Sequence, residues 1–199
     1  MRLFVALDIE PEIRQRITAF RDQMRLLAPD IRWVAPETFH VTLQFLGETN
    51  KLDEIRRALQ TVQGPPISIA FGGASFFPNP KAPRIFWAGL QGDEHLQELV
   101  SAIADALTPL GRDPGAFTPH LTLARSGSGR PKPVRGERPV PALQRVAAEL
   151  AKSPPSDFGT MTAHQFDLYE SHLSSAGPRY EKRASFALRP PPTTNHETL

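Results

Sequence analysis

The chain has 199 residues, 40% of them hydrophobic, no Cys and a formal net charge of +2. That length supports a sizeable core without staples, and the missing Cys excludes disulfides and thiol catalysis while being compatible with a reducing cytoplasm. The charge is too small to argue by itself for a polyanionic partner, and no apolar stretch approaches the length of a membrane span.

The opening Arg2-Leu3-Phe4-Val5-Ala6-Leu7-Asp8 has an apolar run too short for a signal-peptide core and ended by an acid, so it reads as a strand, Leu3 to Ile9. Glu10-Pro11-Glu12 then starts a helix whose apolar residues Ile13, Ile17, Phe20, Met24 and Leu27 keep helical spacing. A short strand at Ile31 to Val34 precedes a longer one around His40, and a helix spans Leu52 to Val62. Pro65-Pro66 leads into a strand, Ile67 to Phe71. The second half repeats this order. A strand, Ile85 to Leu90, is followed by a helix carrying Leu96, Leu99, Val100, Ile103 and Leu107, which stops near Pro109 and Gly111. A strand around His120 comes next, then a helix, Ala142 to Leu150, and strands at Met161 to Tyr169 and Tyr180 to Leu188. The 21 prolines concentrate in connectors, and 190–199 lacks periodicity and reads as a frayed tail. Strand and helix units recurring with an internal echo predict an α+β fold in which each half supplies one polar-faced strand.

Those two strands carry the chemistry. His40-Val41-Thr42-Leu43 and His120-Leu121-Thr122-Leu123 are the same phrase twice. In the first, Phe39, Val41, Leu43 and Phe45 alternate with His40, Thr42 and Gln44, the two-residue period of a strand with one buried and one polar face. In the second, Phe117, Leu121 and Leu123 are expected opposite Thr118, His120, Thr122 and Ala124. Each His and its Thr therefore point the same way, with Cα atoms roughly 6 to 7 Å apart, so that imidazole and hydroxyl reach different oxygens of one phosphate. One such pair alone is usually an idle surface feature. Two are the minimum kit for acid and base work on a phosphodiester, one His taking a proton while the other gives one.

Together with Arg2-Leu3-Phe4-Val5-Ala6-Leu7, Arg32-Trp33-Val34, Gln44-Phe45-Leu46-Gly47-Glu48, Phe117-Thr118-Pro119, Ala124-Arg125, Leu168-Tyr169-Glu170-Ser171 and Gly177-Pro178-Arg179-Tyr180, these motifs resemble the bacterial and archaeal RNA 2′,3′-cyclic phosphodiesterases, or 2′-5′ RNA ligases, of the 2H phosphoesterase superfamily. The resemblance spans Met1 to about Arg189. It implies a bilobal, pseudo-two-fold α+β fold, with antiparallel sheets lining a central cleft and helices packed outside, residues 1–189 forming one domain of two interleaved lobes. It implies His40 as proton donor, His120 as proton acceptor, and Thr42, Thr122 and Arg125 as phosphate ligands. By strand parity Arg125 should face away from His120 and Thr122, so its role rests on the resemblance and requires the strand to bend or end near Ala124. The implied reaction is metal-independent hydrolysis of a 2′,3′-cyclic phosphate end of RNA or an oligonucleotide to a 2′-phosphate, with a rate bell at roughly pH 6 to 8. Run in reverse, the site joins ends, although hydrolysis should win in dilute water. No cofactor, metal or membrane is expected, and the chain is expected to act as a cytoplasmic monomer. The alternative is a 2H-type module that binds a nucleotide or an RNA end with little turnover.

Other features are weaker. Arg125, Arg130, Lys132, Arg135 and Arg138 face only Glu137 in a Gly- and Pro-rich connector, which reads either as a solvated loop or as a track for an RNA backbone. Gly127-Ser128-Gly129-Arg130-Pro131 is no phosphate loop, because the proline ends any helix that would start there. His164 and His172 lack Cys, a His-Glu-x-x-His pattern or an acidic cluster, so no metal site is expected, and His95 reads as a surface residue. Trp33, Phe4 and Tyr169 are candidates to stack on a base, with core packing expected for at least two of them.

Overall fold

The computed structural model describes residues 1–112, 117–126, 140–174 and 177–189. The strands are β1 (Arg2–Asp8), β2 (Arg32–Trp33), β3 (His40–Glu48), β4 (Ile67–Phe77), β5 (Ile85–Gly92), β6 (His120–Arg125), β7 (Asp157–Ala163), β8 (Gln165–Ser174) and β9 (Gly177–Ala187). The α-helices are α1 (Pro11–Leu27), α2 (Leu52–Leu59), α3 (Glu94–Leu107) and α4 (Pro141–Leu150). Proline at the first turns of α1 and α4 occupies a position where no backbone donor is needed. In α3 the side chain of Asp93 caps the helix by accepting from the His95 amide, while its other oxygen accepts from Ser68 N on β4.

Two antiparallel sheets result, ordered β3-β1-β8-β9 and β2-β6-β5-β4-β7. Each half of the chain sends strands into the other's sheet, since β4 follows β3 in sequence yet pairs with β5 and β7, and β8 returns to pair with β1. The expected single strand 161–169 is therefore two strands. The chain changes sheets at His164, whose carbonyl accepts from Leu188 N. Pairing with β5 also carries β4 on to Phe77, beyond the expected end at Phe71.

Along β1 the residues Leu3, Val5 and Leu7 enter the core, while Phe4, Ala6 and Asp8 line the opposite face. On β5, Phe86 and Ala88 are fully buried and Trp87 and Gly89 face the other way. Helix α1 covers the core face of the second sheet, with Phe20 against Phe86 and Phe158 at 6.0 and 5.1 Å between ring centroids. The helices thus lie outside, and the faces carrying Asp8 and Gly89 line the cleft where β3 and β6 meet. Among the described residues no helix is long and apolar enough to cross a membrane.

Candidate active site

The two His-x-Thr strands sit in the same register against their neighbours, residue for residue. On β3, His40 lies opposite Asp8, Thr42 opposite Ala6, Gln44 opposite Val5 and Phe45 opposite Phe4. On β6, His120 lies opposite Gly89, Thr122 opposite Trp87, Ala124 opposite Phe86 and Arg125 opposite Ile85. In both, the pairing skips one residue after the Thr, Leu43 in the first strand and Leu123 in the second, which makes a β-bulge. A bulge puts two successive residues on one side and reverses the parity of the rest of the strand.

This overturns two expectations from strict alternation. Gln44 is 6% exposed and Phe45 is 67% exposed, the reverse of the expected burial. Ala124 is fully buried instead of facing the cleft, and Arg125 shares the face of His120 and Thr122, donating from Nη2 to Thr122 Oγ1 at 3.4 Å. Phe45 and Arg125 are thus equivalent positions of the two lobes, one offering an aromatic surface and the other a guanidinium. The doublet Leu123-Ala124 was the available sequence signal, because two apolar neighbours break a period of two; in the first strand the polar Gln44 hid it.

Each imidazole is fixed through Nδ1. His40 Nδ1 lies 2.8 Å from the carbonyl oxygen of Thr38, and His120 Nδ1 lies 2.7 Å from that of Thr118. A carbonyl only accepts, so Nδ1 carries the proton and Nε2 is left for proton exchange in the cleft. The turn ahead of His40, Pro36–Thr38, is tied to α1 by Arg14, which donates to Pro36 O at 2.6 Å and to Ile9 O at 3.0 Å. Packing completes the orientation. Phe4 lies 4.9 Å and Tyr180 5.1 Å from the His40 ring, and Phe77 meets the His120 ring edge-on at 5.1 Å.

Burial is the main cause that holds both histidines below the ordinary value of 6.5, and the carbonyl bonds from Thr38 and Thr118 oppose it. The remaining charges differ. Asp8 favours protonated His40, whereas Arg125 and His120 disfavour it; at His120 the Arg125 cation also favours the neutral ring. Burial alone would raise the Asp8 carboxyl, but hydrogen bonds from Lys182 Nζ at 2.8 Å and from the Tyr169 hydroxyl bring it below its ordinary range, so Asp8 is ionised near neutrality. Lys182 also pairs at 3.0 Å with the fully buried Asp167. The equivalent of Asp8 in the second lobe is Gly89, with no side chain at all. Asp8 was not among the sequence candidates, since nothing local in β1 says which residue of a distant strand it will face.

Arg32, outside the sequence candidates for the site, lies beside Arg125. It pairs with Arg125 across β2 and β6, and both cations are near enough to Tyr180 to oppose the burial that raises its hydroxyl. Like charges directly opposite in a sheet repel, so the strand pairing concentrates positive charge at this point of the two strands.

The other candidates fall elsewhere. Trp33 donates its indole N–H to Ala28 O at 2.7 Å and packs edge-on against Phe86, a core role. Phe4 is 3% exposed and Tyr169 stacks on it at 5.4 Å, so both support His40 from behind; the exposed aromatic of the site is Phe45. His95 pairs with Glu98 on α3. His172 does have acidic neighbours, contrary to expectation, because the β8–β9 register brings Glu181 beside Glu170, with the three sets of ligand atoms within 4.8 Å. Arg183 already lies 2.8 Å from Glu181 and 3.6 Å from Glu170, and the group sits on the hairpin face away from Tyr169 and Tyr180. Arg130, Lys132, Arg135 and Arg138, the Gly127–Pro131 stretch and the tail lie outside the described residues.

Relatives share this arrangement of sheets. The chain is 33% identical over 184 residues to the RNA 2′,3′-cyclic phosphodiesterase of Archaeoglobus fulgidus, covering 91% of this chain and 97% of that one. It is 33% identical to the protein of the same name from Methanocaldococcus jannaschii, with the same coverage. The crystal structure of TT0787 of Thermus thermophilus superposes with a TM-score of 0.73 at 27% identity, over 96% of this chain and 99% of that one. The structure of Escherichia coli LigT complexed with 3′-AMP does so with a TM-score of 0.70 at 25% identity, over 94% and 96%. The family described as LigT like Phosphoesterase matches residues 7–87 and 90–180, which takes in both bulged His-x-Thr strands, and the chain belongs to that family.

Proposed function

We propose that the protein hydrolyses the 2′,3′-cyclic phosphate end of RNA to a 2′-phosphate, with His40 as general acid and His120 as general base. The observation that carries this reading is the pair of Nδ1-anchored imidazoles, near enough for His120 to act on the charge of His40, with Arg125 hydrogen-bonded to Thr122 on the face of the second. The names of the relatives point to the same substrate.

The steps come from the groups themselves. Water attacks phosphorus as His120 Nε2 takes its proton; the bond from phosphorus to O3′ breaks as His40 Nε2 gives O3′ a proton. Thr42, Thr122 and the Arg125 guanidinium hold the non-bridging oxygens, where negative charge grows. The acid and base assignment is supported by what stands opposite each ring: ionised Asp8 favours a charged His40, and Gly89 with Arg125 favours a neutral His120. Phe45 is suited to receive the terminal base, with Arg32 near the phosphate.

The test is hydrolysis of an oligonucleotide ending in a 2′,3′-cyclic phosphate, in the presence of a strong chelator, with the product read by phosphorus nuclear magnetic resonance. The expected product is the 2′-phosphate, formed at an undiminished rate. A 3′-phosphate would reverse the placement of His40, a chelator-sensitive rate would point to a metal, and binding without turnover would leave the binding-module alternative.

The pH dependence has a definite sign. His40 must be protonated, so activity falls as pH rises through its lowered pKa; His120 must be neutral, so activity falls as pH drops through its own. Both limbs move to the acid side, and kcat/KM for the free enzyme should peak below 6.5. Asp8→Asn should move only the high-pH limb further down. A maximum well above pH 7, or an Asp8→Asn profile that shifts upward, would contradict this electrostatic account.

A further inference from the structure

Cations from both lobes converge beside the reacting phosphate. Arg32 belongs to β2, at the edge of the second sheet, yet its guanidinium reaches the hairpin of the first: Nη2 stands 3.9 Å from the point where a Cβ on Gly177 would lie. No side chain stands there, because Gly177 takes φ +123°, a backbone conformation that favours glycine. Arg2 comes from the first sheet, two residues before Phe4 on β1 and so on the same cleft-facing side of that strand.

Tyr180 marks the point where they meet. Its ring packs edge-on against Phe4 at 5.0 Å and against His40 at 5.1 Å, and Arg125, Arg32 and Arg2 are all near enough to act on its hydroxyl. No acid answers these three cations. Arg16, Arg56 and Arg183 each lie within 4 Å of a carboxylate, whereas among the described residues no carboxylate comes that close to Arg2, Arg32 or Arg125. Even Glu48, opposite Arg2 in the register of β1 and β3, makes no such pair.

Arg125, hydrogen-bonded to Thr122, is accounted for by the reacting phosphate. Arg32 and Arg2 are left over. RNA carries one negative charge per nucleotide, so in any substrate longer than a mononucleotide a second phosphate, on the 5′ oxygen of the terminal ribose, adjoins the nucleotide that reacts. We propose that Arg32, with Arg2 beside it, binds this second phosphate, so that the protein selects an oligonucleotide end over a free nucleoside cyclic phosphate. This rests on the reading of the cleft as the site of cyclic-phosphate hydrolysis. Residues directly opposite in an antiparallel pair hold their Cβ atoms about 4.5 to 5.5 Å apart, which sets Arg32 and Arg125 side by side to serve two anions carried on one ribose. The guanidinium of Arg32 presents a planar fork of donors to two non-bridging oxygens, and a bound phosphate offsets the repulsion between the two arginines.

The experiment uses the full chain and three substrates: a nucleoside 2′,3′-cyclic phosphate, a dinucleotide ending in a 2′,3′-cyclic phosphate, and the same dinucleotide with a neutral methylphosphonate in the internal linkage. The upstream 2′-hydroxyl is methylated in both dinucleotides, which keeps the linkages intact. With the unmodified protein, kcat/KM is expected to be about tenfold higher for the phosphodiester dinucleotide than for the methylphosphonate, the scale of one charge-assisted hydrogen-bonded contact. Arg32→Ala should erase that ratio, and Arg32→Lys should keep part of it. Arg2→Ala should reduce it less, and gives a second reading should Arg32→Ala fold poorly. An unmodified protein that treats both dinucleotides alike overturns the proposal, as does a ratio that Arg32→Ala leaves intact. Equal losses on all three substrates would place Arg32 on the reacting phosphate and overturn it too. Failure to hydrolyse any of the three in the unmodified protein would instead remove the phosphodiesterase reading, and this inference with it.

Discussion

Replacing either His40 or His120 with alanine is expected to lower kcat/KM on a 2′,3′-cyclic-phosphate oligonucleotide by about 100- to 10,000-fold, the range of a single proton transfer. The double replacement should be little worse than the more damaging single one, because both transfers belong to one displacement and a group that acts as a unit is lost once. The two variants should also separate by pH. His40→Ala loses the limb that falls toward high pH, and His120→Ala the limb that falls toward low pH. Circular dichroism melts belong beside the kinetics, since the His40 ring packs against Phe4 and Tyr180. Turnover near that of the unmodified protein in either single variant, with the fold intact, would end the two-histidine mechanism.

Arg125→Ala should lower kcat by roughly 100- to 1,000-fold, the cost of removing one donor aimed at developing charge. The bulge at Leu123 is what makes this expectation specific, since it turns Arg125 onto the face of Thr122. Arg125→Lys should recover only part of the loss, because a point charge replaces a planar fork that grips two oxygens at once. Steady-state and single-turnover rates on a cyclic mononucleotide provide the measurement. An Arg125→Ala variant that changed KM alone would place the guanidinium on substrate outside the reacting phosphate.

Arg125 also marks where sequence reasoning reaches its limit. Alternation along one strand is local, so it correctly put His40 with Thr42 and His120 with Thr122. A bulge is a property of a pair of strands. Whether Leu43 or Leu123 is skipped depends on how β1 and β5 line up with them, and a parity rule applied to one strand alone sends Arg125 and Phe45 to the wrong face. The same limit merged β7 with β8, because both are apolar and adjacent in sequence while their partners lie in different sheets.

By itself the sequence determined that two alike strands each display a His and a Thr on one side, that helices intervene between strands in both halves, and that thiol and disulfide chemistry are absent, because these depend only on short-range periodicity and composition. Only the tertiary structure decided that Asp8 faces His40 while Gly89 faces His120, and that Arg32 stands opposite Arg125. Those are pairings between residues tens of positions apart, set by the register in which β1 meets β3, β2 meets β6 and β5 meets β6, and register is fixed by the joint burial of whole faces, which no single segment specifies.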